Sequence, residues 1–193
     1  MKYILMVMLA LFALGGCESF DALVAANETC SEKWSNYEAE LQRRSDMIPN
    51  IVSVVKASAK HEEDTLVKVA EARASATQIK LTADDLSDPA KVAAFQKAQS
   101  ELKGSLSRLM MVQEQYPDLK ANQAFHSLQI QLESTENRIL RSRQEYNKSA
   151  REYNTELGKI RGRVVNRATG KEFSPRVYFS ADEGSKAAPK VNL

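Results

Sequence analysis

The sequence predicts an all-α protein, an up-and-down four-helix bundle of long amphipathic helices with a short irregular or extended C-terminal tail. Apolar side chains recur at spacings of three and four from about residue 20 to residue 160, as on helices that each bury one face. No strand-like alternation of comparable length occurs before residue 162. With only 7 glycines and 5 prolines among 193 residues, few positions interrupt the helical pattern.

The charge of the chain is close to balanced. It carries 27 lysines and arginines against 25 acidic residues, a formal net charge of +2. Proteins that bind nucleic acid usually present a strongly basic face, so we expect no nucleic-acid partner. Two cysteines cannot form a disulfide framework.

The first sixteen residues are typical of a signal peptide. Residues 3–14 form an unbroken apolar run that is shorter than the about 20 residues of a membrane span. The following Leu14-Gly15-Gly16-Cys17 resembles the lipobox of bacterial lipoproteins. We therefore expect cleavage before Cys17 and fatty acylation of its thiol, the alternative being an ordinary secretory signal with an incidental cysteine. The predicted organisation is a signal peptide over 1–16, a helical bundle over 17–160 and a basic irregular tail over 161–193.

An acylated Cys17 implies that the mature chain is anchored to a lipid bilayer in the bacterial cell envelope, facing the periplasm or the cell exterior. Glu18 rather than aspartate follows the cysteine, which favours the outer membrane where the organism has one. Cys30 is then a lone thiol in an oxidising compartment. It is interpreted either as a small buried residue or as half of an intermolecular disulfide.

Prolines and their neighbours set the predicted helix boundaries. Asp88 is a candidate N-cap for a helix that begins at Pro89, and Pro117 predicts a sharp turn. Pro49 is compatible with two structures: a chain that folds back at residues 45–49, or a continuous first helix kinked at Pro49. We favour the fold-back, because a continuous helix would leave part of its apolar face uncovered. The affected residues are Trp34, Tyr37 and Leu41.

The last part of the chain differs in charge from the rest. From Gly158 onward there are eight basic and three acidic residues, a net charge of +5. Residues 164–165 and 173–179 are predicted to be short extended segments. The basic tail is either a solvated end or a segment that approaches anionic lipid head groups.

Two groups of polar residues are candidate structural or interaction sites. They are Arg43, Asp46, Pro49 and Asn50 around the proposed turn, and Glu133, Glu136, Asn137 and Arg138 on the last helix. Capping together with ion pairs between helices explains them without any ligand. The functional alternative is a groove that binds a partner at the same level of the bundle.

No catalytic residue, metal site or cofactor is predicted. A carboxylate-bridged metal site in a bundle needs Glu-x-x-His pairs, whereas Ser58 and Gln123 stand three residues before the two histidines, His61 and His126. Neither a nucleophile elbow nor a glycine-rich phosphate loop is present in the sequence. We therefore expect a protein that is not an enzyme.

Several blocks of the sequence resemble the LemA family. Residues 42–52 are similar to its Gln-Arg-Arg-x-Asp-Leu-Ile-Pro-Asn-Leu-Val run, and further similar blocks follow in order. These are residues 59–62, 71–74, 119–122, 132–139, 146–147, 153–154, 178–179 and 188–191. The resemblance implies a helical bundle displayed at a membrane by its N-terminus, with no established enzymatic activity. This chain departs from the family in its lipobox, in Ser134 where glycine is usual, and in the basic stretch at 158–167.

Two functional hypotheses follow. The first is a membrane-tethered envelope lipoprotein that serves as a non-catalytic helical interaction or scaffold module, with an envelope protein as its partner. The second is an accessory or regulatory subunit of an envelope protease or of a peptidoglycan-modifying enzyme.

Overall fold

The computed structural model describes residues 2–59, 62–170 and 173–180, with side chains from Ser19 onward. All regular elements in these ranges are helical, which confirms the all-α class. The helices are α1 (Lys2–Ser58), α2 (Glu63–Gln78), α3 (Pro89–Met111), α4 (Pro117–Lys120), α5 (Gln123–Gly158) and α6 (Ile160–Ala168), with 3₁₀ turns at Asp84–Ser87 and Val112–Gln115.

The four longest helices run in alternating directions. Helices α1 and α5 pack antiparallel, and α2, which begins at Glu63, runs back beside α1, since Arg73 contacts Ser45. Helix α3 runs back beside α2, since Gln99 contacts the carbonyl of Ala76 and Tyr116 contacts Glu62. Capping side chains fix two of the starts. Asp88 accepts hydrogen bonds from the N–H groups at the beginning of α3, as predicted, and Asn122 does the same for α5.

The fold-back predicted at residues 45–49 is wrong, because α1 is continuous through Pro49 and ends at Ser58. Pro49 is exposed, so its ring lies on the solvent side of the helix while Leu41, Ile48 and Val55 keep one buried stripe. The unbroken spacing of those apolar residues was the correct signal. The predicted four helices therefore have different boundaries from the observed ones, because the first helix ends at Ser58 and the second begins at Glu63.

The C-terminal half of α1 lies in an aliphatic core. Its buried residues Ile48, Ile51 and Val55 pack with apolar side chains of α2, α3 and α5. We call this the aliphatic half of the bundle. The phenylalanine in the cluster is Phe125, at the start of α5.

The preceding part of α1, from Cys30 to Leu41, lies in a second core that is rich in aromatic rings, which we call the aromatic half of the bundle. Trp34 and Tyr37 pack there with Phe95 of α3 and Tyr146 of α5. The last ring comes from residues 173–180, called here the tail segment: Phe179 stacks on Trp34 with ring centroids 5.5 Å apart. The tail segment thus covers the apolar face that a continuous α1 was expected to leave exposed.

The prediction of an irregular tail is wrong for residues 160–168, because they form α6. The helix includes Val164 and Val165, which were expected to be extended. Gly162 allows this helix to turn closely against the end of α5. A Cβ atom at that position would lie 2.3 Å from the carbonyl oxygen of Glu156. The tail segment has no regular strand but follows the protein surface as an extended chain, in line with the expectation for 173–179.

Candidate functional site

A buried arginine connects three helices at the boundary between the two halves. The Arg44 side chain on α1 is 2% exposed. It donates to Glu136 Oε1 of α5 through Nη1 at 2.9 Å and to Gln99 Oε1 of α3 through Nη2 at 2.6 Å. Gln99 in turn donates to the carbonyl of Ala76 on α2 at 3.1 Å. We call this set the Arg44 network; it contacts all four long helices.

The Arg44 network is a charged contact inside an apolar core. Removing a charge from water costs several kcal/mol, and the cost is offset only where the partners are well placed. Glu136 supplies the opposite charge and is 24% exposed, whereas the Nε of Arg44 is buried without a hydrogen-bond partner among the described residues. The network therefore fixes which helices pair and in which register more than it adds stability.

Pro49 has a structural role that the sequence did not reveal. A proline has no N–H, so the carbonyl four residues earlier, at Ser45, loses its usual helical hydrogen bond. Arg73 of α2 donates to that carbonyl through Nε at 3.1 Å and also approaches Ser45 Oγ at 3.2 Å. The proline thus frees an acceptor on α1 that α2 uses, and this contact aligns the two helices.

Of the remaining predicted residues, Arg43 and Arg138 join an ion-pair cluster, and the others lie on the surface. Glu40 pairs with Arg43 at 3.3 Å and with Arg138 of α5 at 3.6 Å, so these two arginines belong to one ion-pair cluster beside the Arg44 network. Asp46 accepts a hydrogen bond from Gln42 on the surface of α1. The others are exposed and not brought into that cluster; they are Asn50, Glu133 and Asn137.

A groove opens between α3 and α5 on one side of the Arg44 network. Two adjoining cavities along it share Lys103 and Glu136, and the smaller has a volume of about 150 Å³. Groove residues on α3 are spaced by four and three, a spacing that presents one helix face. They are Gln96, Ser100, Lys103, Ser107 and Met110. We call this feature the α3–α5 groove.

Three asparagines hold the tail segment, and sequence reasoning missed their role. Each side-chain amide donates to the carbonyl and accepts from the N–H of the same tail residue, as a neighbouring strand would. The donor and acceptor distances are 2.7 and 2.9 Å for Asn147 with Phe179, 2.8 and 2.8 Å for Asn154 with Arg176, and 2.9 and 3.0 Å for Asn166 with Phe173. The repeated Tyr-Asn pairs at 146–147 and 153–154 were the available signal, because a seven-residue spacing returns to the same helix face.

Arg176 fixes the middle of the tail segment. Its guanidinium donates to Asn27 Oδ1 at 2.7 Å and to the carbonyl of Ala83, and lies over the ring of Tyr153 at 5.7 Å. One side chain therefore joins the tail segment to α1, to the connection after α2 and to α5. Part of the predicted basic tail is thus buried in the fold.

Cys30 is a buried thiol, 1% exposed, in the aromatic half. Burial raises its pKa, which keeps the sulfur in the neutral thiol form. Burial also raises the pKa of the neighbouring Tyr146 hydroxyl, which donates to the carbonyl of Val177 in the tail segment. Of the two interpretations of Cys30, the structure supports the small buried residue.

The predicted lipidation site lies at the start of the packed bundle. The Cys17 side chain is outside the described residues, while Ser19 and Leu23 are buried. Within the described ranges, no group of three or more His, Cys, Asp or Glu side chains is placed to hold a metal ion. Nor does any described helix combine the length and the apolar character that a membrane crossing requires.

Comparison with known proteins decides the family. The sequence model of the LemA family matches residues 33–193. The chain belongs to the LemA family. This LemA protein is also similar to the magnetosome proteins MamQ 1 and MamQ 2 of Paramagnetospirillum magneticum, each 26% identical to it over 83% of this chain. The matched part is 64% of each MamQ chain, so the LemA protein spans slightly less than two thirds of these relatives.

The matched range has a clear relation to the structure. It includes the Arg44 network, the Pro49–Arg73 contact and the tail segment. It begins at residue 33, so the predicted lipobox of this LemA protein and the first part of α1 lie before it.

Proposed function

We propose that this LemA-family protein is an envelope lipoprotein, tethered to a bilayer through acylated Cys17, that acts by binding other molecules rather than by catalysis. The observation that carries the proposal is the position of the lipobox-like motif directly before the packed bundle. Only one residue separates Cys17 from Ser19, the first buried side chain among those that the structure describes, and α1 has no break between them. An acyl chain there holds the whole bundle against the lipid surface.

Family membership supports a membrane location. The relatives MamQ 1 and MamQ 2 are magnetosome proteins, and the resemblance to the LemA family implies display at a membrane. A single acyl chain binds a bilayer only marginally, whereas two or three give a stable anchor. A lipoprotein with a diacylglyceryl thioether and an acylated amine at its first residue therefore needs no spanning helix.

Metabolic labelling of cells with a clickable fatty acid tests the tether. We expect the wild-type protein to incorporate the probe and Cys17→Ala to lose it. The matched control is Cys30→Ala, which removes the other cysteine of the chain and leaves labelling unchanged. An unlabelled wild-type protein, or label that persists in Cys17→Ala, contradicts the proposal.

We propose as a second function that the α3–α5 groove binds an amphipathic helix of an envelope protein, in the manner of an accessory or regulatory subunit. One observation favours this second function: Glu136 lines the groove and also pairs with Arg44. A helix that occupied the groove would meet apolar and polar groups with helical spacing from both walls. The envelope proteases and peptidoglycan-modifying enzymes are the expected partners.

Photo-crosslinking from within the groove tests this second function. A photoreactive residue at Ser100 or Ser107 is expected to give one adduct of defined mass in cells, and the captured peptide to be an amphipathic helix. The same residue at Val67, which is 48% exposed on α2, is the control. Equal adducts from Val67 and from the groove, or a captured peptide without helical apolar periodicity, contradict a docking role.

A further inference from the structure

Helix α6 presents an apolar stripe and a set of cations to solvent. Ile160 is 74% exposed, the highest value for a large apolar side chain in the described part of the chain, and Val164 is 51% exposed. The two are four residues apart and therefore share one face. Arginines flank this stripe at positions 161, 163 and 167, all of them exposed.

The opposite face of α6 is the one that packs on the bundle. Gly162 and Val165 are buried, and Asn166 holds Phe173 of the tail segment. These contacts hold α6 so that Ile160 and Val164 point away from the bundle. The helix sequence contains three arginines and no acidic residue, and none of these arginines pairs with a carboxylate among the described side chains.

The position of α6 relative to the predicted anchor is the second observation. Ile160 and Arg161 line the same surface cavity as Ser19 and Ala22 of α1. Ser19 follows Cys17 by two residues, which is about 3 Å along a helix. Glu156, the acidic residue in that cavity, is already paired with Lys159 at 2.5 Å. The exposed stripe and its cations therefore lie beside the point at which an acyl chain would enter the bilayer.

We propose that α6 is a membrane-surface element that binds anionic phospholipid, with Ile160 and Val164 inserted at the head-group boundary and the arginines at positions 161, 163 and 167 on the phosphates. Basic amphipathic helices with exposed apolar side chains bind membrane interfaces in this way. The contact orients the bundle on the membrane, so that the aromatic half lies nearer the lipid and the aliphatic half projects away from it. This inference extends the proposed tether, but it rests on the geometry of α6 and is testable without acylation.

Vesicle flotation with the full mature chain carrying Cys17→Ser isolates the contribution of α6. We expect binding to phosphatidylethanolamine–phosphatidylglycerol vesicles and far weaker binding to phosphatidylcholine vesicles, with loss of binding as salt rises. Arg163→Gln with Arg167→Gln is expected to weaken partitioning by about twenty-five-fold, about fivefold for each cation. Ile160→Ser with Val164→Ser is expected to weaken it roughly tenfold.

The matched control removes exposed apolar side chains from elsewhere on the bundle. Val67→Ser with Ile130→Ser changes residues that are 48% and 54% exposed, and it should leave vesicle binding unchanged. Tryptophan placed at residue 160 by Ile160→Trp is expected to shift its emission to the blue on vesicles and to be quenched by brominated lipid. Ile130→Trp should show neither effect.

Three outcomes would overturn the inference: equal binding to neutral and anionic vesicles, unchanged binding in both α6 variants, or self-association of the protein that depends on Ile160. The tether is judged separately by fatty-acid labelling of Cys17. Unlabelled wild-type protein with vesicle binding that depends on α6 would refute the tether and support the inference. Labelled protein with vesicle binding independent of α6 would support the tether and refute the inference.

Discussion

The aliphatic and the aromatic half of the bundle share one helix, α1, but they are covered in different ways. The aliphatic half packs mainly against regular helices, and its core is formed by branched side chains such as Ile51, Val55 and Leu109. The aromatic half packs against α3 and α5, and also against less regular chain, namely the connection at 79–88 and the tail segment. An amphipathic stripe shows that a helix face is buried, but it does not show which kind of chain buries it.

The aromatic residues suit the less regular surroundings. Irregular backbone leaves gaps of uneven shape, and large flat rings that meet edge to face fill them over a wide area. Irregular backbone also leaves N–H and C=O groups without partners, which the asparagine amides of α5 satisfy. The aromatic half therefore depends on residues far apart in sequence, such as Trp34 and Phe179.

Removing the ring of Phe179 is expected to have the largest effect, because that ring contacts four others in the aromatic half. Phe179→Ala should lower the free energy of unfolding by about 4 kcal/mol, as measured by chemical denaturation. The emission of the single tryptophan, Trp34, should shift to the red because its stacked neighbour is lost.

Tyr178→Ala is the control for this experiment. Tyr178 is adjacent in the chain but 48% exposed, and its hydroxyl accepts one hydrogen bond from Asn154 at 3.1 Å. We expect a loss of at most about 1 kcal/mol. Equal losses in the two variants would mean that the tail segment does not complete the aromatic core.

The next largest effect is expected at the boundary between the halves. Glu136→Ala leaves the charge of Arg44 buried without its partner and should cost about 3 kcal/mol of unfolding free energy. The control is Glu114→Ala, which breaks the exposed pair with Lys120 and should cost less than about 1 kcal/mol. The double variant Arg44→Met with Glu136→Leu should regain most of the loss, since two apolar groups replace the charge pair. No recovery would mean that the charges themselves stabilise the fold.

In the aliphatic half, the next prediction tests whether Pro49 leaves the Ser45 carbonyl free to bind Arg73. Arg73→Met removes the donor to the Ser45 carbonyl and should cost about 2 kcal/mol in the wild-type background. In Pro49→Ala the alanine N–H can bond to that carbonyl, so the same Arg73→Met change should cost less than half as much. A thermodynamic cycle over the four proteins measures the difference. Additive effects would show that the proline and Arg73 act independently.

These contacts explain why the sequence predicted some features and not others. Helical periodicity and the Asp88 cap are local signals, so the all-α class and the start of α3 were predictable. Pro49 was misread because the partner that compensates for it, Arg73, is distant in sequence and close only in the fold. The docking of the tail segment was missed for the same reason: the Tyr-Asn repeat places two asparagines on one face of α5, but it does not show that they bind backbone distant in sequence.

The role of the predicted polar residues was partly predictable. Ion pairs between helices were expected for Glu136 and Arg138, and both residues form them. Arg44 was not selected, because an arginine within a run of charged residues has no sequence feature that marks it as buried. Its neighbour Arg43 was selected and is half exposed.

The smallest expected effect is a loss of stability at low pH in the connection at residues 79–88, which contains Asp85. The Lys91 ammonium, with the N–H and hydroxyl of Thr82, lowers the pKa of Asp85 from 3.8 to about 2. Because the folded value lies below the unfolded one, the ionised carboxylate stabilises the fold above about pH 4, and this contribution is lost as the pH falls towards 2. An NMR titration of the Asp85 carboxyl should show its midpoint near pH 2 in the wild type and a midpoint closer to 3.8 in Lys91→Met. The control Lys97→Met, on the same helix, should leave it unchanged. A wild-type midpoint near 3.8 would show that this turn is not held by Lys91.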